Sequence, residues 1–199
     1  MPDAESEEDI QKVITKYNDG KTLFAGAADL FSAILGHSRD TSDSRETRVS
    51  NSPSTLILCG STQSKPLDLG IPIAPMPRKI YDGNEDLSLW DTSAYQEKHS
   101  LILTMPYTHR TGKEAAVHLR TMMAEKTKWL VADHCPNHLI IEGGATAWAT
   151  LQALGWTQFE IVAQIAPGIV QMSATNGTLV TLKPGSYPWG NLFSSSANT

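Results

Sequence analysis

Glycines and hydroxyls recur directly after short aliphatic runs in this sequence. Leu139-Ile140-Ile141 runs into Glu142-Gly143-Gly144-Ala145-Thr146; "TLILC" runs into Gly60-Ser61-Thr62; and "SLILT" runs into a loop that carries His109, Arg110, Gly112 and Lys113. A glycine has no Cβ, so a ligand can approach its backbone. A helix that starts at such a turn offers unpaired N–H groups and the positive end of its dipole. Ser61 and Thr146 could add hydroxyl hydrogen bonds, and His109, Arg110 and Lys113 could add positive charge. This is chemistry for an anion, and for a phosphate in particular. Each motif taken alone reads at least as well as a tight turn, a helix cap or a solvated charged loop, and for the Gly143-Gly144 pair the plain turn is favoured.

The segment "TLKPGSYPWGNLF" is the other candidate. Lys183 could bring a cation to a phosphate, and Gly185 and Gly190 could let backbone come close to it. Its plainer reading is a surface turn with Tyr187 and Trp189 packed down. "DHCPNH", Asp133 to His138, holds metal-ligating residue types, but their spacing fits no zinc signature and a solvated loop is favoured. Neither a Walker A loop nor the dinucleotide fingerprint is present. No local Ser/His/Asp or Cys/His arrangement points to a nucleophile, so no residue is assigned a catalytic or metal-binding role.

The elements that must position these loops follow from periodicity. Ser6 can cap a helix in which Ile10, Val13, Ile14 and Tyr17 share a face. The pattern then predicts a strand over 21–26, a helix over 27–36 ending at Gly36, and a polar loop over 38–54 with too little apolar area to order itself. Strands follow at 54–60 and 100–106, with an extended segment at 69–77. Helices are expected over 84–98, with Leu87, Trp90 and Tyr95 inward, and over 113–134, with Ala116, Leu119, Met123 and Trp129 or Leu130 inward. After the strand 139–141, Ala147, Trp148, Leu151 and Leu154 fall at helical spacing up to Gly155. Strand, loop and helix repeat, which argues for parallel pairing. Beyond Gly155 the period falls to two, and Asn176-Gly177 signals a two-residue hairpin turn. The fold class is α/β, a three-layer Rossmann-like open sheet, mostly parallel, with a C-terminal antiparallel hairpin. In such a sheet the three post-strand loops emerge together at the carboxyl edge, where these folds place ligands.

Composition narrows the partners. The chain has 199 residues, enough for one well-cored domain, and a formal net charge of −5, which disfavours nucleic acid and anionic membrane. The acidic N-terminus "MPDAESEED" lacks a signal-peptide pattern and no apolar run has the length of a membrane span, so a cytoplasmic location is expected. The two cysteines, Cys59 and Cys135, are expected as free thiols.

In order, "LFAGAADLFSAIL", "LILCGSTQS", "IIEGGATAWATLQALG", "IAPGIV" and "TLKPGSYPWG" resemble the C-terminal nucleotide-binding half of the four-carbon acid sugar kinases. These enzymes phosphorylate threonate, erythronate or oxo-tetronates. The resemblance covers nearly the whole chain apart from the polar loop. It implies a nucleotide-binding domain over residues 1–199, with ATP and Mg²⁺ as cofactors. It further implies nucleotide contacts from Ser61, from Glu142, Gly143, Gly144, Ala145 and Thr146, and from Lys183 and Gly185, with Pro167-Gly168 shaping a nearby turn. The acid sugar would bind through an N-terminal domain absent from this chain, which also supplies the catalytic carboxylate; self-association is left open. Two departures stand out: Ala145 replaces the family's acidic residue, a ligand for Mg²⁺ or its water, and Tyr187-Pro188-Trp189-Gly190 replaces Phe-Gly. They motivate the alternative of a non-catalytic binding or regulatory module.

Overall fold

The computed structural model describes residues 6–25, 30, 33–34, 54–60, 68–105, 112–166, 168–185, 187, 189 and 193. The chain divides into two compact units, Met1–Asp43 and Ser44–Thr199. In the first, α1 spans Glu7–Tyr17 and is capped as its sequence predicts: the Ser6 hydroxyl accepts from the Asp9 N–H at 3.2 Å and donates to the Asp9 carboxylate at 2.7 Å. Ile10, Val13 and Ile14 form its half-buried face. The strand expected from Lys21 is not formed through Ala25. The Asp19 carboxylate instead accepts the N–H groups of Lys21 and Thr22, which holds the chain in an Asx turn, and Leu23 is 92% exposed. Most of the helix expected over 27–36 lies outside the described residues, although Leu30, Ala33 and Ile34 are helical. The polar loop lies outside them too, except for Ser54.

The second unit is built on a seven-stranded sheet. Its elements are β1 (Thr55–Cys59), β2 (Ile73–Pro75), α2 (Arg78–Tyr81), α3 (Ala94–Lys98), β3 (Ser100–Thr104), α4 (Lys113–His134), β4 (His138–Glu142), α5 (Gly144–Leu154), β5 (Phe159–Ala166), β6 (Ile169–Ala174) and β7 (Leu179–Lys183). The strand order is β2-β3-β1-β4-β7-β6-β5. From β2 to β7 every pairing is parallel, and the two pairings among β7, β6 and β5 are antiparallel. The predicted class therefore holds. The C-terminal part is a three-strand meander, and its last strand returns to lie parallel beside β4.

The central strands are apolar on both faces because both faces are covered. Leu56, Leu58, Leu101, Leu103, Leu139, Ile141 and Val180 face the main core with Trp90, Tyr95, Leu119, Met123 and Leu130. Ile57, Cys59, Ile102 and Ile140 face a smaller cluster with Ile169, against which Leu69, Ile71, Trp189 and Phe193 pack. Burying a large aliphatic side chain contributes about 1.5–3 kcal/mol, so these strands set the register strongly.

Three local expectations need correction. Residues 84–98 do not form one helix. Carboxylates cap successive short turns, Asp86 accepting from the Ser88 N–H and Asp91 from the Ser93 N–H, while the Trp90 indole N–H donates to the Ala74 carbonyl at 3.1 Å. Only the 3-10 turn Leu87–Leu89 and the short α3 remain helical, yet Leu87, Trp90 and Tyr95 are buried as expected. On α4 the sheet-facing set is Ala115, Leu119, Met123 and Leu130, whereas Ala116 is exposed and Trp129 is 48% exposed. The turn at Asn176-Gly177 has three residues between Ala174 and Thr178. Gly177 donates to the Ala174 carbonyl from a left-handed φ of +85°, and the Asn176 side chain accepts from the Thr178 N–H.

Candidate functional site

The parallel pairing of β3, β1, β4 and β7 brings their carboxyl ends to one edge of the sheet. Three of those ends are tied together there. The Gly60 N–H donates to the Glu142 carbonyl at 3.3 Å, and the Gly143 N–H donates to the Lys183 carbonyl at 2.9 Å. Above this seam the chain turns into α5 with Gly143 as N-cap. Gly143 has a φ of +96°, which disfavours any residue with a Cβ, and being glycine it gives the helix no side-chain cap. The first intrahelical bond runs from the Ala147 N–H to the Gly143 carbonyl. Among the described residues no acceptor outside the helix takes the N–H groups of this first turn, which is the arrangement that suits an acceptor brought by a ligand.

Gly143 and Gly144 differ in what the fold asks of them. Gly143 needs its left-handed backbone. Gly144 has an ordinary helical backbone, and a Cβ added to it would meet nothing within 4 Å. Glycine at that position costs helix stability without relieving any crowding in the fold. Gly144 and Ala145 are both exposed, so the first turn of α5 presents a bare backbone surface. Thr146 is different. It is only 3% exposed, and its side chain fills the space above Gly60, where an added Cβ would collide with the Thr146 hydroxyl oxygen. Gly60 is therefore glycine because Thr146 packs on it.

Beneath the turn lies a buried ion pair. The Lys183 ammonium donates to the Glu142 carboxylate at 2.5 Å and to the Pro184 carbonyl at 3.0 Å, and both side chains are 1% exposed. The Trp189 ring lies over the ammonium, 4.7 Å from Nζ to the ring centroid. Burial pushes the Glu142 carboxyl up from its ordinary value, opposed by its hydrogen bond and charge attraction to Lys183. Burial, helped by the Glu142 charge and opposed by Lys183, pushes the neighbouring Cys59 thiol up to about 12. In this structure Lys183 braces the ends of β4 and β7 from below, rather than reaching into the space above the turn.

Of the residues singled out by sequence, Glu142, Gly143, Gly144, Ala145, Thr146 and Lys183 come together at this edge. Gly185 follows in the half-buried turn after β7, and Tyr187 covers Gly168, its ring about 3.1 Å from where a Cβ would sit. Ser61 lies outside the described residues, as do His109 and Arg110; Pro167 and Gly190 do also. The "DHCPNH" segment splits. His134 packs on the Tyr95 ring, and His138 is buried in β4 with its Nε2 bonded to the Thr181 hydroxyl at 2.8 Å. No group of three His, Cys, Asp or Glu side chains among the described residues could hold a metal ion. Sequence reasoning missed the Gly60–Thr146 contact and the Glu142–Lys183 pair, since both depend on which strands become neighbours.

A family model for nucleotide-binding C-terminal domains (NBD_C) matches residues 84–187, a stretch that contains the α5 turn, Lys183 and Gly185. Among solved structures the fold is similar to that of a domain of unknown function (DUF1537) from Bordetella bronchiseptica, a domain swapped dimer with bound citrate. That match has 18% identity and a TM-score of 0.57, and covers 94% of this chain and 49% of that one. It is also similar to a Haemophilus influenzae protein of the DUF1537 family, with 20% identity, a TM-score of 0.53, and coverage of 96% and 51%. This chain spans about half the length of each. No curated protein matches it significantly. No described helix is long and apolar enough to cross a membrane. Because the matched residues make up more than half of the chain, and hold the uncapped turn at the sheet's carboxyl edge, this protein belongs to the family of nucleotide-binding C-terminal domains.

Proposed function

We propose that this chain is the ATP-binding half of a kinase that phosphorylates a four-carbon acid sugar, with residues 1–199 serving as its nucleotide-binding domain. The observation that carries the reading is the bare first turn of α5, where Gly144 lacks a side chain that the fold itself would accommodate. The N–H groups of Gly144, Ala145 and Thr146 would hold phosphate oxygens, aided by the helix dipole. Gly143 sets the turn, and the Glu142–Lys183 pair fixes it to β7. Ser61 and Gly185 would complete the cradle from flanking loops. Catalysis in such a site is mostly positioning and charge stabilisation. The sugar, and the base that activates its hydroxyl, would be supplied by a further domain, so this chain alone is expected to bind nucleotide without turning it over.

The residues at the turn do not fit a protein-held Mg²⁺. Glu142 is engaged by Lys183, and position 145 is alanine, so the described residues leave no carboxylate for the ion. That same observation favours a second reading, a non-catalytic binding or regulatory module with a degenerate nucleotide site. Calorimetry with ATP and Mg²⁺ tests both. Binding by the native chain supports an autonomous site. If neither the native chain nor Ala145→Asp binds at millimolar nucleotide, the kinase reading fails.

A further inference from the structure

We propose that Trp148 is the platform on which the base of the bound nucleotide stacks. This rests on the placement of the phosphates at the Gly143–Thr146 turn. Trp148 falls at the helical spacing of Ala147, Leu151 and Leu154, a pattern that predicts burial, yet it is 64% exposed while Ala147 is 6% exposed. Residues four apart on a helix share a face, so Trp148 stands one turn, about 6 Å, beyond Gly144 on the surface that also carries Ala145. Gly144, Ala145 and Trp148 are all exposed, so the helix face that carries the indole also carries the small residues of the first turn, and nothing lies within 4 Å of where a Gly144 Cβ would sit.

The other exposed tryptophan makes a useful contrast. Trp129 has the Lys126 ammonium 5.7 Å from its ring centroid, whereas among the described residues no ring or cation lies against Trp148. A large aromatic face left free, beside backbone positioned for phosphates, suits a planar heterocycle carried on a phosphate chain. Stacking is tolerant of base identity, because every base has a π-face. The inferred ligand is accordingly a nucleoside polyphosphate, with modest discrimination among bases.

The test compares ATP with inorganic tripolyphosphate by calorimetry on the full chain as native protein, Trp148→Ala and Trp148→Phe. Trp148→Ala should weaken ATP about tenfold or more while leaving tripolyphosphate unchanged, and Trp148→Phe should recover most of the loss. Circular dichroism should show all three equally folded, because the side chain lies at the surface. If Trp148→Ala binds ATP as tightly as the native chain, or native protein binds ATP no better than tripolyphosphate, the platform is refuted and the phosphate site stands. If native protein binds neither, both readings fall together.

Discussion

Replacing Gly144 with alanine should move stability and nucleotide binding in opposite directions. Gly144 is the first residue of α5, its φ is not in the left-handed region, and an added methyl meets nothing within 4 Å. Without strain or clash, alanine should stabilise the free protein by about 0.5–1 kcal/mol through helix propensity and a less mobile unfolded chain. For a domain of this size that is a rise in Tm of about 1–4 °C. The new Cβ tilts toward the helix N-terminus, into the space in front of the first-turn N–H groups. Losing one charge-assisted hydrogen bond to a phosphate costs about 1.5–3 kcal/mol, a roughly ten- to hundredfold weaker ATP affinity. Differential scanning calorimetry and isothermal titration on the same preparations read both quantities. Unchanged ATP affinity would show that no phosphate occupies this turn. A lower Tm would show that the fold requires glycine there, which would remove the reason for assigning a ligand.

Other perturbations probe the scaffold below the turn. Gly60→Ala should cost at least about 1–3 kcal/mol in urea unfolding, because its Cβ would lie within 2.7 Å of three Thr146 side-chain atoms. Lys183→Met leaves Glu142 buried without its cation and should cost about 3–5 kcal/mol, whereas Glu142→Leu combined with Lys183→Met should recover most of it. A double-mutant cycle that shows simple additivity would contradict the pairing. Burial holds the His138 imidazole at a pKa of about 4, below its ordinary 6.5. The stabilisation from keeping it neutral is thus complete above pH 6.5 and is lost as pH falls through 4, in total about 3 kcal/mol. Glu142, with its pKa raised, acts in the opposite sense, its share being present at low pH and lost as pH rises. The difference in pH slope between native protein and His138→Gln isolates the histidine, and equal slopes would refute its burial as the neutral form.

Much of this architecture was legible because single features sufficed. The apolar runs of β1, β3 and β4 read as strands and are covered on both faces, and α4 and α5 begin after the glycines at 112 and 143. The C-terminal shift to period two marked the antiparallel strands. What stayed hidden depends on contacts distant in sequence. Residues 84–98 have helical apolar spacing, but Asp86 and Asp91 cap separate turns, and the Trp90 indole reaches back to Ala74. No local pattern announces that β7 returns beside β4, so the partnership of Lys183 with Glu142 is not legible in the sequence. Trp148 misled because periodicity reports a face without saying whether anything covers it.

The placement of the phosphates is tested most directly by following backbone amide resonances as ATP is added to the full chain. The account predicts that the amides of Gly144, Ala145 and Thr146 shift first and furthest, and saturate together with the heat of binding. Shifts confined instead to the separate groove along α4, lined by Glu85, Lys113, Val117 and His118, with the α5 turn unmoved, would contradict it.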